Sequence, residues 1–256
     1  MALSKLREYF SNFDSALVTF SGGVDSTVLA KAAHEALGRR AAALTAASPS
    51  LAAGELEEAR ALATRIGIQH LVVSTREIEN PNYVSNPANR CFFCKTELFA
   101  LASEVAREKN FSIVVEGTHP DDLTGPRPGL QAARAHGVKS PFLELGIGKS
   151  EIRDIAREWG LPNWDKPALA CLSSRFPTGI SITVERLGQV DRCEQAIRAL
   201  GFSQVRARYH GKMTRIKLLP ADIQKTLDPT IQMQIARAAK AAGFETAVID
   251  LIGYRR

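Results

Sequence analysis

The residues Ser21-Gly22-Gly23-Val24-Asp25-Ser26 are the types that hold an anion, and they stand where a chain can present them. A buried-looking apolar run at residues 16–20 precedes them, and a helical pattern follows through Leu37 to Gly38. Two glycines let backbone come close to a phosphate, and a helix start offers unpaired N–H groups at the positive end of its dipole. Ser21 and Ser26 add hydroxyl donors, and Ser26 or Asp25 is placed to cap the helix. The loop has no lysine, which argues against a Walker A motif. Gly148-Lys149-Ser150 has that motif's ending, but Leu143 stands where its first glycine is required. A bare two-glycine turn is also an ordinary strand-to-helix connection. The full string after a strand is what marks this one.

The cysteines suggest sulfur chemistry. Cys91-Phe92-Phe93-Cys94 is a CxxC at the mouth of a helix, and Cys171 follows far along the chain. Zinc asks for two such pairs or a histidine pair at metal spacing, and neither is present. Three separated cysteines suit three irons of a [4Fe–4S] cluster whose fourth iron stays open to an external sulfide. They also suit three small buried apolar groups, the reading that Cys193 receives from its helical run. Cys171 lies in residues 163–177, a stretch without periodicity and framed by prolines. Lys166 and Arg175 beside it favour a thiolate.

These groups need a scaffold, and the apolar pattern supplies one. Strand-like runs at residues 16–20, 41–45, 70–74 and 113–116 alternate with helical runs at 55–66 and 94–109. Ile152, Ile155, Ala156 and Trp159 mark one face of a further helix. Such alternation predicts an α/β fold, a parallel sheet covered on both faces with ligands at the carboxyl ends of its strands. The rhythm changes near residue 178. A helix at 184–200, strands at 204–209 and 214–218 joined through His210-Gly211-Lys212, a helix at 231–242 and a strand at 246–251 predict a small α+β unit. The expected domains are therefore 1–178 and 179–256.

Composition narrows the setting. The chain is 45% hydrophobic and 23% charged, as ordinary globular proteins are. No apolar stretch approaches the roughly 18 residues of a membrane span. The first residues mix charge with apolar residues at helical spacing, unlike a signal or transit peptide. The expected location is the cytoplasm, where thiols stay reduced. Formal net charge is +6, and all of it falls in residues 201–256, which hold 10 basic and 4 acidic groups. That is either a solvated face or a surface for phosphates, a nucleotide or RNA.

SGGVDS after a strand resembles the PP-loop of the ATP-pyrophosphatase superfamily, which includes GMP synthetase, NAD synthetase and tRNA thiolation enzymes. The resemblance implies an adenine nucleotide α-hydrolase-like fold that cleaves ATP between its α- and β-phosphates, with Mg²⁺ as companion. Ser21, Gly22, Gly23, Asp25, Ser26, Thr45 and Gly117 would surround the nucleotide. More narrowly, NRCFFCK, EGTHPDDL, RPGLQAA, LPNWDKPALACLSSRFPTGI, VRARYHGKMTRIKL and VIDLIGYRR resemble the LarE family, the ATP-dependent sulfur transferases of nickel-pincer nucleotide synthesis.

That resemblance implies a catalytic Cys171, which in one branch of the family gives up its own sulfur. It also implies that Arg175, Glu194, Arg206 and Arg255 bind a phosphate-bearing substrate. The CxxC resembles the branch in which Cys91, Cys94 and Cys171 hold a [4Fe–4S] cluster carrying a sulfide. His119 departs from the family's usual asparagine. The implied partners are a small nucleotide substrate, a sulfide donor and further copies of the chain, with no membrane. Two alternatives stand beside it. A tRNA thiolation enzyme would want an aromatic platform or RNA-binding motif that the C-terminal unit lacks. A non-catalytic zinc or nucleotide module would form no AMP.

Overall fold

The computed structural model describes residues 2–123, 125, 127–167 and 170–254. It parts into two compact units. The first takes Met1–Ser48, Ala53–Asn80 and Asn89–Leu169, and the second takes Pro49–Ala52, Pro81–Ala88 and Ala170–Arg256. The sequence placed the change of rhythm at residue 178. In the contact pattern the units meet along the chain at 169 and 170, and the second also draws in the two short strips from the earlier half.

The first unit is a four-stranded parallel sheet in the order β3-β2-β1-β4, from β1 (Ala16–Thr19), β2 (Ala41–Ala47), β3 (Gln69–Ser74) and β4 (Ile113–Val115). Its register sets Ala16 against Ala41 on one side and Ile113 on the other. Period-two alternation divides the apolar residues between two faces. Ala16, Val18, Ala41 and Ala43 join a cluster with residues of α1 (Ala2–Ser11), α2 (Val24–Leu37) and α3 (Glu55–Ile66). Leu17, Ala42 and Leu44 face the opposite way, onto Phe99, Ala102 and Ala106 of α4 (Arg90–Glu108) and Ala132 and Ala133 of α5 (Pro128–Ala135). The sheet is thus covered on both sides, as parallel sheets require.

Helix ends follow local chemistry. In α3, Glu55, Glu57 and Glu58 occupy the first turn and Arg65 the last, each matched to the dipole. The helix α4 starts about one turn before the expected Cys94, because Phe92 already packs on the second cluster. Its first turn therefore holds Cys91. The last helix of this unit, α6 (Lys149–Glu158), buries Ile152, Ile155 and Ala156, the face foreseen from their spacing. Among the described residues no helix is long and apolar enough to cross a membrane.

The second unit is built on a three-stranded sheet, β5 (Val205–His210), β6 (Met213–Leu218) and β7 (Thr246–Ile249) in that order. The strands β5 and β6 run antiparallel, with His210 opposite Met213, so Gly211 and Lys212 form a two-residue hairpin turn. Gly211, at φ 70°, supplies the left-handed backbone that such turns require. Val205, Ala207, Ile216 and Leu218 point inward. The helix α7 (Val184–Arg198) packs on β5 and on α8 (Pro229–Ala242). Both helices begin at side-chain caps, Thr183 accepting the Arg186 N–H and Asp228 the Thr230 N–H. Cys193 is fully buried in α7, and that burial pushes its thiol pKa up to about 12.

Candidate active site

The loop between β1 and α2 is organised to leave donors free. Gly22 adopts φ 73°, which L side chains rarely take. Gly23 is the N-cap of α2 but supplies no side-chain cap. The expected capping by Ser26 or Asp25 is corrected here. The Ser26 hydroxyl donates to the Gly23 carbonyl at 3.0 Å and receives the Ser21 N–H at 3.2 Å, while Asp25 turns to a lysine. The first α-helical bond at this end is Thr27 N–H to Gly23 O at 3.0 Å. Among the described residues, the N–H groups of Gly22, Val24, Asp25 and Ser26 therefore have no internal partner. A row of free N–H groups at a helix start, beside two serine hydroxyls, is a polyphosphate cradle.

Gly117, just beyond β4, closes one wall of this loop. A Cβ there would stand 3.3 Å from the Asp25 Cβ and 3.4 Å from the Ser26 nitrogen, so the close backbone approach favours a glycine. Thr45 lies at the end of β2, only 3% exposed. Its hydroxyl donates to the Phe20 carbonyl at 2.7 Å and lies 2.8 Å from His70 Nε2, so it braces the strand that leads into the loop.

Lys149 is the residue that the sequence reading set aside and the fold brings in. Its Nζ lies 2.5 and 2.7 Å from the two Asp25 carboxylate oxygens. Gly148-Lys149-Ser150 is not a P-loop, yet its lysine reaches the nucleotide loop from the start of another helix. One signal was available. A lysine in a first turn opposes the helix dipole, and such a placement needs a compensating anion. The fold supplies two, for the Lys149 N–H also donates to Asp121 Oδ2 at 2.7 Å, and this hydrogen bond holds the Asp121 carboxyl below its usual range. His119, 6% exposed, stands among three carboxylates, 3.8 Å from Asp25, 3.4 Å from Asp121 and 3.5 Å from Asp122. Its Nδ1 makes no hydrogen bond despite the short approach to Asp121.

In the second unit, Cys171 is partly exposed and precedes a short turn at Leu172–Arg175. Arg175 does not present its charge to solvent. Its Nη1 donates to the carbonyls of Ala170 at 2.6 Å and Cys171 at 3.2 Å, and its Nε and Nη2 bind Glu194 bidentately at 2.8 and 2.9 Å. Glu194 has no exposed surface and also accepts from Arg198 at 2.8 Å and from the Ala207 N–H at 2.9 Å. Fully occupied, it fixes the cysteine-bearing turn to β5.

One face of the hairpin gathers positive charge. Arg206 pairs across the strands with Lys217, and Arg208 with Arg215. Like charges set opposite one another are costly unless an anion is to join them. Burial lowers the pKa of both Arg206 and Arg208, and their cationic neighbours lower it further. Tyr254 lies under the Arg206 guanidinium, 4.5 Å from ring centre to carbon, and its hydroxyl takes a 2.8 Å hydrogen bond from Nη2. Asp250 answers part of the charge, 3.1 Å from Lys217. The sequence reading named only Arg206 from this face. Alternate-residue cations at 206 and 208, then at 215 and 217, were the period-two signal for the rest. Arg255 lies outside the described residues.

The remaining thiols lie in the first unit. Cys91 is exposed and Cys94 partly so, one turn apart at the start of α4, with Arg90 Nη2 3.9 Å from the Cys91 sulfur. Among the described residues no group of three or more His, Cys, Asp or Glu side chains is arranged to hold a metal ion.

A donor-rich two-glycine loop at the carboxyl end of a central parallel strand is the arrangement that ATP-utilising enzymes of the PP-loop class share with other nucleotide-binding α/β folds. Comparison with known proteins agrees. The family described as NAD synthase matches residues 3–108. The chain is 47% identical over 253 residues to the uncharacterized protein slr1717 of Synechocystis, covering 99% of this chain and 94% of that one. It is 32% identical over 239 residues to the pyridinium-3,5-bisthiocarboxylic acid mononucleotide synthase of Lactiplantibacillus plantarum, covering 93% and 86%. The protein MJ0830 of Methanocaldococcus jannaschii is 27% identical over 252 residues. The chain belongs to the LarE family.

Proposed function

We propose that the chain is an ATP-dependent sulfur transferase that converts a carboxylate of a pyridinium biscarboxylate mononucleotide into a thiocarboxylate for a nickel-pincer cofactor. The observation that carries this reading is the set of unpartnered N–H groups on the Ser21–Ser26 loop, with Lys149 and Asp25 at its edge.

The triphosphate lies on those N–H groups, and its charge draws Lys149 away from Asp25. The freed Asp25 carboxylate is a hard oxygen ligand suited to Mg²⁺. When bound, Mg²⁺ neutralises charge building on the departing phosphates. A substrate carboxylate oxygen attacks the α-phosphorus, the bond to the β-phosphate oxygen breaks, and pyrophosphate leaves. Carboxylate oxygen is a poor leaving group, whereas the AMP of the acyl-adenylate is a good one. The Cys171 thiolate attacks the acyl carbon and AMP departs, leaving a thioester. Loss of the Cys171 Cα proton and cleavage of its Cβ–S bond then release the thiocarboxylate and leave dehydroalanine, with no oxidant required. Arg206 and Arg208 hold the substrate phosphate. Arg175 and Glu194 fix the turn that carries Cys171.

A second source of sulfur is favoured by one observation, the thiols of Cys91 and Cys94 one helical turn apart and outside any disulfide. The LarE resemblance implies that they and Cys171 are the donors of a [4Fe–4S] group, which would supply sulfide and spare the protein's own sulfur. Anaerobic purification with iron and sulfide analysis, followed by mass spectrometry after turnover, tests the proposal. AMP and pyrophosphate with loss of the elements of H₂S at Cys171 support the cysteine as donor. Bound iron with an intact Cys171 assigns the sulfur to the cluster, and absence of AMP overturns the proposal as a whole.

A further inference from the structure

The nucleotide loop contains a peptide bond that chemistry leaves free to turn either way. The Gly22–Gly23 peptide joins two residues without side chains, so rotating its plane by half a turn meets little steric resistance at either end. A trans peptide carries its C=O and N–H on opposite sides. One orientation therefore offers a donor to a phosphate and the other offers an oxygen, which a phosphate repels.

Behind the loop lies Asn163, 5% exposed, in the turn that follows α6. Its Nδ2 donates to the Gly22 carbonyl at 3.0 Å and to Thr27 Oγ1 at 2.9 Å. Thr27 has no exposed surface, and its hydroxyl donates onward to the Gly23 carbonyl at 2.8 Å. Two consecutive loop carbonyls are thus held from the rear. The Gly23 N–H is turned the other way and meets Ser21 Oγ at 3.3 Å. Asn163 Oδ1 has no hydrogen-bond partner, so this side chain is used for its donors alone.

We infer that Asn163, through Gly22 and with Thr27 as its relay, locks the Gly22–Gly23 peptide with its carbonyl turned away from the polyphosphate and its N–H on Ser21 Oγ. Asn163 is a positioning residue for the triphosphate and touches no reacting atom. Aspartate has nearly the same shape but no donor, and it would set a carboxylate against the Gly22 oxygen and drive the peptide over. Thr27→Ser keeps both hydrogen bonds of the relay, and the isosteric Thr27→Val removes both.

This inference rests on the nucleotide-loop reading, so its test includes a readout that needs no nucleotide. Full-length protein labelled with nitrogen-15 reports the Gly23 amide, and ATP titration followed by calorimetry reports affinity. Wild type and Thr27→Ser give one Gly23 resonance and matching affinities. Asn163→Asp and Thr27→Val give a doubled or exchange-broadened Gly23 resonance, and ATP binds about tenfold more weakly to Asn163→Asp. A single sharp Gly23 resonance in both of those variants, with wild-type ATP affinity, overturns the lock. Should wild type bind no ATP, the functional proposal fails while the Gly23 resonances still decide the lock. Where Asn163→Asp does not fold, Thr27→Val against Thr27→Ser carries the same contrast.

Discussion

Replacing Glu194 by glutamine changes little in shape and removes one charge from a site with no exposed surface. That carboxylate accepts from Arg175 twice, from Arg198 and from the Ala207 N–H. Arg175 has only 6% of its side chain exposed, so in Glu194→Gln its guanidinium stays buried without a counter-charge. The glutamine NH₂ would also point a donor at another donor. Removing one partner from a buried, hydrogen-bonded pair costs about 3–5 kcal/mol. For a unit of about 100 residues each kcal/mol lowers the melting temperature by about 4–8 °C, so the second unit should melt about 12–40 °C lower. Circular dichroism melts measure this directly. A paired replacement, Arg175→Met with Glu194→Leu, removes both charges and should recover much of the loss, since apolar substitutes for a buried ion pair are often near neutral. ATP binding, which uses the first unit, should persist in Glu194→Gln. A variant that melts within about 2 °C of wild type would refute the assignment of Glu194 as the fixed anchor of the Cys171 turn.

Other outcomes follow from the same geometry. Lys149→Met should weaken ATP binding by about tenfold in calorimetry, because a cation bound for the phosphates is lost. Arg208→Gln should weaken capture of a phosphorylated substrate and flatten its salt dependence, as read by KM at two ionic strengths, because a partly desolvated cation leaves the hairpin face. Thiol alkylation followed by mass spectrometry should label exposed Cys91 early and Cys193 last, since a thiol raised to about 12 holds almost no thiolate at neutral pH. Burial lowers the His70 pKa from 6.5, so the unfolded chain binds that proton more tightly than the folded one. The corresponding stability is present above pH 6.5 and is lost as pH falls below it. Urea titrations across that range should show a smaller loss for His70→Gln.

What could be read from the sequence was what depends on neighbours along the chain. The apolar runs at 16–20 and 41–45 gave strands because their residues alternate between two buried faces. SGGVDS was legible because strand, glycines and helix start are contiguous. Lys149 and Asn163 were not, since each reaches the loop from more than a hundred residues away, and no local periodicity reports such a meeting. Arg175 and Glu194 were legible as charged residues of interest, but not their bidentate pairing with each other, which residue type and spacing do not report. The early start of α4 has a similar origin: its N-cap is Asn89, whose side chain makes no capping bond, and packing of Phe92 extends the helix back to it.

The central claim is that a substrate carboxylate becomes joined to AMP before sulfur arrives. Substrate carrying oxygen-18 in its carboxylates, turned over once with ATP, tests this most directly. The account predicts one labelled oxygen in the phosphate of the released AMP and none in pyrophosphate. AMP free of label, or label in pyrophosphate, would contradict it.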